Sequence, residues 1–65
     1  MNYELIHEKL KLLYELGHIG KRDRRIRDIQ IHLSRKNAIQ IDNWVHDIIV
    51  GNKTVDEALY GRGVI

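Results

Sequence analysis

The chain has 65 residues, no cysteine, no proline and a formal net charge of +2, with 43% hydrophobic and 31% charged residues. That length holds one domain, near the lower limit for folding unaided, and the missing cysteines exclude disulfides and thiolate metal sites. The hydrophobic share argues against intrinsic disorder, and no apolar run reaches membrane-spanning length. Since "MNYELIHEKL" is charged almost from its start, neither a signal peptide nor a membrane anchor is expected, and a cytoplasmic setting is. A single core in so short a chain supplies about 3–5 kcal/mol, so it must pack efficiently or borrow surface from a second chain.

Glycine and capping residues supply the punctuation, and they divide residues 1–65 into a single helical domain with helices near 3–16, 22–34, 38–50 and 55–60. In the first helix Asn2 is the expected N-cap, with Glu4 placed well for the helix dipole. Tyr3, Ile6, Leu10, Leu13 and Tyr14 share one side. Leu5, Leu12 and Leu16 form a second apolar stripe, leaving Glu4, Glu8, Lys11 and Glu15 as the polar strip. So wide an apolar surface means either a central helix or one covered by another chain, which makes Leu5 and Leu12 candidate interface anchors and a homodimer a candidate assembly. Gly17 and Gly20, around His18 and Ile19, end it in a turn.

The second segment, "GKRDRRIRDIQIHLSRK", holds most of the chain's basic residues. Lys21 to Lys36 contains seven bases against two acids, Asp23 and Asp28, a local excess of five positive charges that leaves the rest at −3. As a helix it places Ile26, Ile29 and Leu33 on one face, and Asp23–Arg27 and Arg24–Asp28 become opposite-charge pairs one turn apart. As a strand, Ile29, Ile31 and Leu33 alternate with polar residues, so an α+β variant with a hairpin around 29–41 competes with the helix. The helix is preferred, because Asn37 and Gln40 have capping-box spacing that starts a third helix at Ala38, and an isolated hairpin is marginally stable.

The third helix aligns Ala38, Ile41, Val45, Ile48 and Ile49, with Trp44 at the edge and Gly51 as the stop. Thr54 and Glu57 form a second capping box for a short fourth helix that ends at Gly61. The remaining tail either folds back through Val64 and Ile65 or frays. The fold class is therefore all-α, a small three- to four-helix bundle, with Ile6, Leu10, Leu13, Ile26, Ile29, Leu33, Ile41, Val45, Ile48 and Leu59 as its core.

Catalytic patterns are missing. Ser34, the only serine, has no neighbouring base, the five glycines build no phosphate loop, and the four histidines have no zinc-like pairing. Asp42 and His46, one turn apart, read as an exposed pair and His18 as a dipole partner. No enzyme activity, cofactor or metal is expected. Two binding functions remain. In the leading one, Ile31 sits on the basic side of the second helix among Arg24, Arg27 and Arg35, with Lys21 and Lys36 extending the patch and Trp44 a further candidate anchor. Arginine around an apolar residue is interface chemistry, which points to a small regulator or inhibitor that docks on a protein partner, of the size that phages and mobile elements encode.

The competing function is nucleic-acid binding by the same basic face. The segments flanking Ser34–Asn37 can be drawn as a helix-turn-helix, but its would-be recognition helix offers Gln40, Asp42, Asn43, His46 and Asp47 with no Arg or Lys. Contact through the second helix to RNA or to a nucleic-acid backbone is then the more natural form. The closing stretch "WVHDIIVGNKTVDEALYGRG" resembles the last helices of small antitoxin-like proteins over under a third of the chain. The Ser/Thr-x-x-x-Glu-Gly motif of antitoxins that block Fic enzymes does not occur, and no site residue is carried over.

Overall fold

The structure, a computed structural model, describes residues 2–61 as four helices: α1 (Tyr3–Glu15), α2 (Arg25–Ser34), α3 (Ala38–Ile49) and α4 (Val55–Tyr60). The expected contribution of Val64 and Ile65 lies outside the described residues. α1 packs against both α2 and α3, and α4 closes the bundle against α3 and α2. Among the described residues no helix is long and apolar enough to cross a membrane.

Local chemistry explains most boundaries. Asn37 accepts a hydrogen bond from the Gln40 backbone at 2.9 Å while the Gln40 side chain accepts from the Asn37 N–H, and Thr54 and Glu57 do the same for α4. α1 and α3 both finish on a glycine in the left-handed region, Gly17 at φ 82° and Gly51 at φ 85°. The next N–H reaches back to Leu13 and Asp47 respectively, at 2.9 Å in each case. A side chain at either glycine would strain that backbone, so the two residues fix where the chain turns. At the opposite end of α1, Asn2 caps by position alone: its carbonyl accepts from Ile6, but its side chain makes no capping bond.

α2 departs from expectation in two ways. It begins at Arg25 rather than residue 22, and the pairs Asp23–Arg27 and Arg24–Asp28 do not form. Asp23 instead caps the helix. Its carboxylate accepts the Arg25 N–H at 2.9 Å and the Gly20 N–H at 3.3 Å, and binds the Arg25 guanidinium at 2.8 Å. A short carboxylate bonds nearby backbone donors more readily than it reaches a side chain one turn away, which is why aspartate works better as a cap than as a mid-helix partner. The hairpin variant is also overturned. The described residues contain no strand, and the apparent alternation is resolved helically, with Ile29 and Leu33 fully buried and Ile31 exposed.

The core consists of Ile6, Leu10, Leu13, Ile29, Leu33, Ile41, Val45 and Ile48, joined by Ile19 from the turn after α1 and Val55 from α4. Ile26 and Leu59, expected inside, are half-buried and pack against its edge. Ala38, expected on the apolar face of α3, is exposed in the first turn. No buried side-chain polar atom among the described residues lacks a hydrogen-bond partner.

Candidate protein-docking face

The candidate face is the side of α2 turned away from Ile29 and Leu33. Ile31 is 47% exposed there. Arg27 and Arg35 lie one turn either side of it and Arg24 one turn further back, all exposed. Lys21 stands apart from this row, its ammonium 5.9 Å from the centre of the Tyr14 ring. Lys36, half-buried at the end of α2, lies close enough to His32 to disfavour the charged imidazole. The structure therefore brings Arg24, Arg27, Ile31 and Arg35 onto one surface and sets the two lysines at its margins.

The two acids of the segment are placed differently: Asp23 precedes the helix, while Asp28 is exposed one turn from Arg24 and from Ile31. Asp23 is held by Arg25, whose guanidinium and N–H keep the carboxyl well below the usual carboxylate range. Asp28 accepts a 2.7 Å hydrogen bond from the Tyr60 hydroxyl on α4, which in turn raises the phenol above its ordinary value. Arg25 also reaches Asp56 at 3.1 Å, a second tie between α2 and α4. Among the described residues Arg24, Arg27 and Arg35 form no ion pair. Around Ile31 three arginines thus stand against the single carboxylate of Asp28.

Two depressions border this face. A cleft of about 770 Å³ at the foot of α2 is lined by Arg22, Arg24 and Arg25 and by Asp23, Asp28 and Asp56, with Tyr60 at its side. Its carboxylates balance its guanidinia, so it favours neither sign of ligand. On the α1 side, Tyr3, Ile6, His7 and Gln30 line a notch of about 350 Å³. Neither depression was expected from the sequence. They join residues distant along the chain, and Tyr3, expected on the apolar side of the first helix, is 64% exposed.

The other candidate anchors lie on different surfaces. Trp44 donates its indole N–H to the Ala58 carbonyl at 2.9 Å and stacks obliquely on His32, with ring centroids 5.4 Å apart. Its polar group therefore serves the join of α2, α3 and α4. Burial against this ring, with Lys36 and Arg35 nearby, pushes the His32 pKa below 6.5. Leu5 and Leu12 are half-buried against the core. They flank Lys9 at helical spacing, and Lys9 bridges to Asp42 on α3 at 3.1 Å, so these leucines follow the α1–α3 seam rather than the α2 face. Asp42 is thereby engaged with Lys9, separately from His46.

No protein-family model matches the chain, and no curated protein or solved structure shows significant similarity to it.

Proposed function

We propose that this protein is a small non-enzymatic regulator or inhibitor that docks on another protein through the outward face of α2. The observation that supports this is Ile31, exposed at the centre of a row of arginines that have no carboxylate partner among the described residues. Burying such a side chain in a partner's recess removes apolar surface from water, while the arginines steer and orient the approach. The partner surface that fits is acidic around an apolar recess. The α3 face weighs against base reading: it exposes Ile39 and Val50 together with Asn43 and His46, and contributes no cation to a groove.

Binding to random-sequence RNA and DNA over a salt series tests the choice between protein and nucleic acid. The docking function predicts weak binding that is unaffected by Ile31→Gln. Tight binding that falls steeply with salt, is lost when Arg24, Arg27 and Arg35 become glutamate, and ignores the neutral change Ile31→Gln would assign the face to phosphates instead.

A further inference from the structure

We infer that His32 is the proton-sensitive part of a joint that holds α4 to the bundle, so that mild acid favours local opening of α4 while the other three helices stay folded.

The joint takes one residue from each of three helices. His32 of α2 lies against the Trp44 ring of α3, with centroids 5.4 Å apart and planes tilted by 47°. The same indole donates its Nε1–H to the Ala58 carbonyl of α4 at 2.9 Å. α4 has little else of its own to keep it formed: it has six residues, of which only Val55 is buried. So short a helix does not persist alone in water. Its contacts maintain it, namely Val55 in the core, Trp44 on Ala58, Arg25 on Asp56 and Tyr60 on Asp28. Segments held in this way open locally at lower cost than the core.

A proton on His32 acts on the joint through Trp44. The charges that bear on the imidazole are Lys36 and Arg35, two cations of its own helix. From α3 it faces the uncharged Trp44 ring. The polar groups of α4 are engaged elsewhere, Asp56 with Arg25, Glu57 with the Thr54 N–H and Tyr60 with Asp28. From α1, Tyr3 and His7 come up against Gln30, on the opposite side of α2. No carboxylate is among the groups that bear on His32, and burial together with the two cations pushes its pKa below 6.5. When α4 opens, the indole loses its acceptor and is free to turn toward water, which uncovers His32 and eases its protonation. A proton that binds the open form more tightly shifts the balance toward it. α4 is therefore held most firmly above pH 6.5 and opens increasingly below it.

Amide exchange of the full chain, measured across this window and corrected for its intrinsic pH dependence, tests the inference. Exchange should rise several-fold in acid at Ala58 and Gly61, whose N–H groups bond the Thr54 and Glu57 carbonyls, and not at Val45 and Ile48 in α3. Trp44, the chain's single tryptophan, reports the proton itself: its emission should change with a midpoint below pH 6.5. His32→Gln should abolish both responses, while His46→Gln, at an exposed position two residues from Trp44, should leave them in place. Trp44→Phe keeps a ring against His32 but removes the donor, and should speed exchange at Ala58 already at neutral pH. The inference is overturned if the responses persist in His32→Gln or vanish in His46→Gln, or if Trp44→Phe leaves Ala58 exchange unchanged. Loss of protection in α3 and α4 together would also overturn it, since the bundle would then be opening as one unit.

Discussion

Ile29 and Ile31 are the same residue two positions apart on α2, and the fold treats them oppositely: Ile29 is fully buried, while Ile31 is 47% exposed among arginines. The difference shows that composition did not decide burial in this segment; helical phase did. α1 and α4 pack against α2, and its inner residues join one core cluster with Leu13, Ile41, Val45 and Ile48. The outer face keeps an apolar residue where nothing in the bundle reaches it. Changes to the inner face should therefore register as stability, and changes to the outer face as binding.

The largest expected effect is on the inner face. Leu33→Ala should lower the unfolding free energy by about 2–5 kcal/mol, by loss of transfer energy and creation of a cavity. For a domain this small, most molecules should then be unfolded without denaturant, as thermal or urea melts followed by circular dichroism will show. Next comes Asp23, which sets where α2 starts. Asp23→Ala should cost about 1–2 kcal/mol by loss of the cap. Its carboxyl is held low in the folded state, so the stabilisation is present above its unfolded value of 3.8 and is lost as pH falls below it. Urea melts at neutral and strongly acid pH should find wild type and variant well apart in the first and closer in the second.

A smaller effect sits at the border between the two faces. His32 packs on Trp44 with its pKa lowered chiefly by burial, so the unfolded state takes up protons more readily. Stability should be fully present above pH 6.5 and decline as pH falls below it, and His32→Gln should flatten that decline in melts across the range. The smallest effect should be at Ile31. Ile31→Asp should change stability by no more than about 0.5 kcal/mol, as for a surface position away from special features. A cost near that of Leu33→Ala would mean Ile31 is core and the two faces are wrongly separated.

Elements with local signals were legible in the sequence. α3 and α4 announce themselves through Asn37–Gln40 and Thr54–Glu57, and the ends of α1 and α3 through Gly17 and Gly51, because capping chemistry acts within a few residues. The outward placement of Ile31 followed from helical phase once α2 was preferred over a strand. What pattern could not supply was contact between distant segments. Arg25 with Asp56 and Asp28 with Tyr60 span more than thirty positions, and neither pair has a spacing rule that predicts it. Ile19 and Val55 escaped the expected core for a similar reason, since each sits at a turn or helix start where periodicity is too short to show a face.

The docking account is tested most directly by affinity capture from the native host, run in parallel with wild type and Ile31→Asp in the presence of nuclease. It predicts that a defined protein is retained by wild type and lost by Ile31→Asp, while both baits have the same helical spectrum. Equal retention by the two baits would contradict it, as would binding that disappears from wild type once nuclease is added.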